Sequence, residues 1–306
     1  MIDTCPYPRP TANTVTHIDS LLYFVWERET IRLAKEGGWN PDALTNDPVL
    51  KKYKFTNIHR RDDRVSQWII EHLIEPAVDN GDEYLWFTLL IARLINWPPT
   101  LQALLNAGVI PCIPEDFDAD LFSNTIEALK AKSSKVYSGA YMVYPTKMDV
   151  GGNKSSALAK HIIGGVISRA DDIHKSIWVE ETASVERFVE ALSTCFGLST
   201  FMAGQVAADL TYTGMDFTDV YTYAPIGPGS SRGLNYLKGR RPFANWGQGE
   251  FNSALIEIRN QIVDKLEIED LTLHDVQNIM CEFSKYCRTV LNEGVPKTIY
   301  KPEELF

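Results

Sequence analysis

The sequence has no apolar run long enough to cross a bilayer. Its longest, Leu85 to Ile95, is broken by Thr88 and Arg93, which excludes a membrane span and a membrane partner. It has no Cys-x-x-Cys pair and no His-rich tract. Five scattered cysteines, Cys5, Cys112, Cys195, Cys281 and Cys287, point to reduced thiols rather than to disulfides or a bound metal. The start, Met-Ile-Asp-Thr-Cys-Pro, lacks the basic residue and apolar stretch of a secretory leader, so the expected location is the cytoplasm. Alternating β-branched residues are nearly absent, and only Lys135 to Tyr144 reads as a weak strand. There is no internal repeat and no βαβ alternation. Val150-Gly-Gly-Asn-Lys-Ser-Ser156 lacks the glycine that must precede the lysine of a phosphate loop; a helix capped by Ser155 or Ser156 is expected there instead.

What is present is a foldable, mainly α chain. Of 306 residues, 44% are hydrophobic and 11% aromatic, enough to build a core and to exclude disorder. Apolar periodicity predicts helices over 17–36, opened by a capping-box-like Thr16-His-Ile-Asp19, and over 62–79, 82–96, 101–107 and 119–132. Others are predicted from the 150–156 stretch through Ile167 and over 184–195, 199–212, 250–266 and 273–291. Residues 224–249, rich in Gly, Pro, Asn and Trp, read as an ordered loop.

The net charge of −10 argues against a generally basic coat for nucleic acid, yet it hides a segregation. Residues 51–64 carry six cations against two anions, and residues 220–249 carry Arg232, Lys238, Arg240 and Arg241 with no acid. Local basic segments of this kind suit a phosphate backbone or a phosphorylated substrate; cationic loops that merely solvate the surface are the alternative.

Helix, Phe196-Gly197-Leu198-Ser199, helix is a tight glycine-bearing hairpin able to offer backbone N–H groups to a DNA phosphate. Asp219 lies 20 residues beyond Ser199. An essential aspartate stands about that far beyond the hairpin in helix-hairpin-helix DNA glycosylases, which Cys195 to Asp219 resembles. Ser199 replaces that superfamily's second hairpin glycine, and Phe201 stands where its bifunctional members carry a Schiff-base lysine, which argues against lyase chemistry. The plain alternative is that Asp219 is a loop or cap carboxylate.

Close behind comes Ala224-Pro-Ile-Gly-Pro-Gly-Ser-Ser-Arg-Gly-Leu-Asn235, in which Gly227, Gly229 and Ser230 can bring backbone to an anion and Arg232 can fork onto phosphate. On the last helix, Val276, Ile279, Phe283, Cys287 and Val290 share a core-facing stripe. Gln277, Glu282, Lys285, Tyr286 and Arg288 fall off it, as the wall of a polar site or as a solvated face.

Trp26-Glu-Arg-Glu-Thr-Ile-Arg32, Phe55-Thr-Asn-Ile-His-Arg-Arg-Asp-Asp-Arg64, Gly139-Ala-Tyr-Met-Val143, Phe196-Gly-Leu-Ser-Thr-Phe-Met-Ala203, Gly227-Pro-Gly-Ser-Ser-Arg-Gly-Leu-Asn235 and Met280-Cys-Glu-Phe-Ser-Lys-Tyr286 together resemble the alpha-glutamyl/putrescinyl thymine pyrophosphorylases. The resemblance runs in order over most of the chain. It implies a helix-hairpin-helix glycosylase-like helical fold over 1–306, as one unit or as lobes of about 1–135 and 136–306 flanking a cleft. It also implies a bacteriophage enzyme of the host cytoplasm that follows a DNA-base kinase. Such an enzyme transfers the amine of a free amino acid or polyamine onto the 5-methylene of phosphorylated 5-hydroxymethyluracil in double-stranded DNA and releases phosphate or pyrophosphate. No cofactor is required.

Under that reading Asp219 and Glu282 are the catalytic carboxylates. Arg60, Arg61, Arg64, Gly197, Ser199, Gly227, Gly229, Ser230 and Arg232 hold phosphate or DNA. Trp26, Arg28, Asn57, Tyr141, Asn235, Lys285 and Tyr286 hold the flipped base and the amino acid, with Arg28 on its carboxylate. A monofunctional glycosylase and a non-catalytic DNA-binding module are the alternatives.

Overall fold

The structure, a computed structural model, describes residues 5–38, 44–133, 135–139 and 153–301. The described residues are mainly helical; the β-structure consists of the two-residue strands Trp178–Val179 and Thr182–Ala183, paired antiparallel, and isolated bridges. The weak strand expected from Lys135 does not form over 135–139, and its remainder lies outside the described residues. No helix among the described residues is long and apolar enough to cross a membrane. No described group of His, Cys, Asp and Glu is placed to hold a metal ion.

The chain divides into two compact units, and the division falls after residues 63 and 220 rather than near residue 135. One unit joins Met1–Asp63 to Tyr221–Leu305; the other is Arg64–Val220.

In the first unit the helices Ile18–Glu36, Gln248–Leu266 and Leu273–Val290 close a core around Phe24, whose ring lies 5.7 Å from Phe55, 5.8 Å from Phe283 and 5.3 Å from Tyr286. The first helix starts one residue later than its sequence signal, with His17 at the N-cap and no side-chain cap. Asp47 is the polar pin of this core. Its Oδ1 accepts from the Val49 and Leu50 amides to cap Pro48–Lys52, while its Oδ2 accepts from Tyr286 at 2.7 Å, Tyr23 at 3.3 Å and Arg9 at 3.0 Å. A buried carboxylate needs partners of this kind to offset its lost hydration.

The segment 224–249 is not a single loop, because Pro228–Leu237 is helical. Pro228 at the first helical position needs no N–H partner, so a residue type that suggests a loop here starts a helix.

In the second unit Leu85–Ile95 is buried along its whole length, and Trp86 meets Phe188 edge-on at 6.0 Å. The helix ends where Asn96 turns left-handed, and Pro98–Asn106 follows. The helical stretch expected over 62–79 carries a π-turn at Ile70–Ile74, just ahead of Pro76. A proline has no N–H to donate and crowds the carbonyl a turn earlier, so the backbone widens before it. Lys154–Ile167 is capped by Asn153, whose Oδ1 accepts from the Ser155 amide, rather than by Ser155 or Ser156.

Candidate functional site

In the first unit Pro228–Leu237 crosses Leu273–Val290 without room for side chains. A methyl at Gly233 would lie 2.0 Å from the Met280 carbonyl oxygen, and one at Gly229 would lie 2.3 Å from Cys281 Sγ. Gly229 therefore serves the helix crossing. Gly227 and Ser230 are occupied with each other: the Gly227 amide donates to Ser230 Oγ at 3.2 Å, and that hydroxyl donates back to the Gly227 carbonyl at 3.0 Å. The anion-cradling loop expected from these residues is a helix start instead.

Beside the crossing lies a knot of charged groups. Glu282, buried, accepts from the Thr56 amide at 3.2 Å through Oε2 and from Lys285 through Oε1. The Arg28 guanidinium, also buried, donates through Nη2 to the Phe55 and Thr56 carbonyls, both at 3.1 Å, and through Nε to the Thr56 carbonyl at 3.3 Å. Asn278 donates to Thr56 Oγ1 at 2.9 Å. Segment 55–63 is thus fastened to two helices. The Arg60 amide reaches Asp275 Oδ1 at 2.7 Å, Asn57 donates its amide to Asp63 Oδ1 at 2.9 Å, and Asn57 Nδ2 donates to the Asp62 carbonyl at 2.8 Å.

The electrostatics single out Asp63, a half-buried residue not among the sequence-derived candidates. Burial, with Glu282 adding to it, pushes its carboxyl up to about 6, although the Asn57 amide, Arg60 and Arg28 pull the other way. Burial lowers the Arg28 guanidinium from its ordinary value, and Glu282 and Asp63 oppose that shift. Burial also pushes the Cys281 thiol up to about 11, so it stays a thiol at neutral pH. The knot therefore combines a weakly acidic carboxyl with Arg60, itself buried, and with Lys285, whose side chain is 40% exposed. A proton acceptor and cations for an anion stand together here.

Several sequence-derived roles change. Arg28 spends its Nε and Nη2 on backbone carbonyls, which makes it a strut for 55–63 rather than a clamp on an amino acid. Tyr286 is fully buried with its hydroxyl on Asp47, so its ring offers no platform to a base. Burial and Asp47 both raise its hydroxyl, which stays protonated. Asn235 is also fully buried: its Nδ2 donates to the Pro242 and Ala244 carbonyls at 3.2 and 2.8 Å, and its Oδ1 accepts from Trp246 at 2.8 Å. The Asn57 side chain is committed to its own loop. Trp26 is half-buried and Arg61 exposed, 4.0 Å from Asp62. Arg232 stacks its guanidinium 4.4 Å from the centre of the Phe243 ring. Tyr141 lies outside the described residues.

Arg64, Gly197, Ser199 and Asp219 belong to the second unit. The helical hairpin forms, with Val185–Ser193 and Thr200–Leu210 joined through an exposed Gly197 at φ +78°. Ser199 caps the second helix through the Met202 amide at 3.2 Å. Asp219 reinforces the start of the first: its carboxylate accepts from Val185 N at 2.8 Å, Glu186 N at 3.0 Å and Ser184 Oγ at 2.9 Å. Two oxygens meeting three donors at a helix N-terminus is the arrangement of a cap.

A family model described as "5-hmdU DNA kinase, helical domain" matches residues 15–295. A 5-hmdU DNA kinase of Bacillus phage SP10 is 27% identical over 285 residues, which is 86% of this chain and 42% of the relative. The chain thus spans less than half the length of that curated relative. No solved structure matches.

Proposed function

The chain belongs to the family of 5-hmdU DNA kinase helical domains, and from that premise we propose that it handles 5-hydroxymethyluracil in phage DNA, in the host cytoplasm, at the step after phosphorylation. The substitution replaces phosphate on the 5-methylene by the amine of a free amino acid or polyamine. The observation that carries this reading is Asp63, a carboxyl pushed up to about 6 within reach of the charges of Arg60 and Glu282, the latter paired with Lys285.

A protonated amine cannot attack carbon. Asp63 takes its proton; the nitrogen lone pair forms the C–N bond as the C–O bond to phosphate breaks, and the phosphate leaves with that electron pair toward Lys285, the exposed cation of the knot. Glu282 holds Lys285 in place. The base must first leave the stack, which costs a few kcal/mol. In the second unit the exposed turn at Gly197 is suited to the DNA backbone and exposed Arg64 adds a cation; in the first unit exposed Arg61 is a cation of its own.

A second reading has a specific support, the name of the phage SP10 relative: the chain presents the hydroxymethyl base to a phosphoryl donor. One experiment separates the two. The protein is incubated with DNA carrying phosphorylated 5-hydroxymethyluracil and each amino acid or polyamine in turn, and separately with 5-hydroxymethyluracil DNA and labelled nucleoside triphosphate. Both digests are read by mass spectrometry. An amine adduct is the expected product. Label transfer without an adduct establishes the second reading, abasic sites establish a glycosylase, and unchanged nucleosides in both arms overturn the proposal.

A further inference from the structure

Phe243 is the most exposed of the large apolar side chains described, at 77%. A lone exposed phenylalanine is ordinary. Its mounting here is not. Buried Asn235 holds the carbonyls on both sides of it, at Pro242 and Ala244, and is itself fixed by Trp246. The Ala244 amide closes the turn onto the Arg241 carbonyl at 2.9 Å, and Arg240 Nη2 ties down the Asn245 carbonyl at 2.9 Å. The ring is therefore presented on a stiff tip, so little ordering entropy remains to be lost when something stacks on it.

The charges around the tip divide into two kinds. Lys238 pairs with Glu257 at 2.9 Å and Arg240 with Glu250 at 3.1 Å. Arg232 and Arg241 make no ion pair among the described residues, and the Arg232 guanidinium lies over one side of the Phe243 ring. A guanidinium over one side of a rigid, largely exposed aromatic, with exposed Arg241 two residues before it in the chain, matches a ligand that is anionic along its length and flat at intervals, which is the chemistry of an unstacked nucleic-acid strand.

We propose that Phe243 is a stacking platform for an unpaired base of DNA, with Arg232 and Arg241 meeting the adjoining phosphates. The proposal rests on the reading of the chain as a DNA-handling protein and adds the element that engages a base outside the helix.

The test uses the full chain and a fluorescent duplex with one bulged 2-aminopurine, at fixed salt. Wild type is expected to bind and to quench the probe. Phe243→Ala and Phe243→Leu are expected to weaken binding about tenfold and to lose the quench, while Phe243→Trp keeps both. The leucine variant preserves apolarity without a stacking face, and unchanged thermal unfolding of each variant shows that the fold is intact. Wild-type affinity and quench in Phe243→Ala overturn the proposal alone. Failure of the wild-type protein to bind any DNA overturns both this proposal and the functional reading beneath it.

Discussion

Arg93 and Asp209 are joined by two hydrogen bonds, from Nε at 2.6 Å and from Nη2 at 2.5 Å, with both side chains almost wholly buried. Arg93 Nη1 also reaches Asn96 Oδ1 at 3.1 Å, and Nη2 reaches Ser66 Oγ at 3.0 Å. The pair clips Leu85–Ile95 to Thr200–Leu210. Removing one partner leaves the other charged and dry, so Asp209→Ala is expected to cost about 3–5 kcal/mol by chemical denaturation. Arg93→Met with Asp209→Leu together should cost less than Asp209→Ala alone.

Gly229 and Gly233 give opposite results in a rescue experiment. Each alanine substitution overpacks the helix crossing and is expected to cost about 1–3 kcal/mol. At Gly229 the obstacle is the Cys281 sulfur, so Cys281→Ala should restore more than half of the loss. At Gly233 the obstacle is the Met280 carbonyl oxygen, and no side-chain change nearby should restore it.

Asp63 sets a pH dependence of unusual sign. Its folded value of about 6 lies above the ordinary 3.8, so between those values the folded chain holds a proton that the unfolded chain has released. This group's stabilising contribution is complete below about 3.8 and declines as pH rises to about 6. Asp63→Asn should remove that slope, seen as a smaller difference in unfolding free energy between pH 4.5 and pH 7. Under the proposed chemistry, turnover should climb through pH 6 in wild type and be lost in the variant.

Asp219 separates capping from catalysis. As a cap its loss costs about 1 kcal/mol, so Asp219→Ala should unfold at lower temperature. With Asp63 as proton acceptor, its turnover measured well below the melting point should stay within about twofold of wild type. A loss of a hundredfold or more at intact fold would return the catalytic role to Asp219.

The helical class and most helix positions were legible in the sequence because apolar spacing reports directly on which face is buried, as in Ile18–Glu36 and Leu273–Val290. The limits were equally physical. Helical period put Tyr286 off the apolar stripe, but Leu273–Val290 is packed on more than one side, and Asp47, far away in sequence, supplies the partner that lets a hydroxyl be buried. Proline and glycine made 228–237 look like a loop, whereas the glycines serve a neighbour 50 or so positions away. Asp63 stood inside a segment read for its cations. Its proton affinity is raised by burial, with Glu282 adding to it, and no local pattern reveals either.

The first unit is assembled from both flanks of the chain, and this sets an order of events during synthesis. The contacts internal to the unit of residues 64–220 can all form once residue 220 has left the ribosome. Phe24 and Asp47 must wait for Phe283 and Tyr286, at roughly 5–20 residues per second a delay on the order of ten seconds or more. Until then the apolar face of Ile18–Glu36 is uncovered, and the newborn protein is most vulnerable to chaperone capture or aggregation at its first helix.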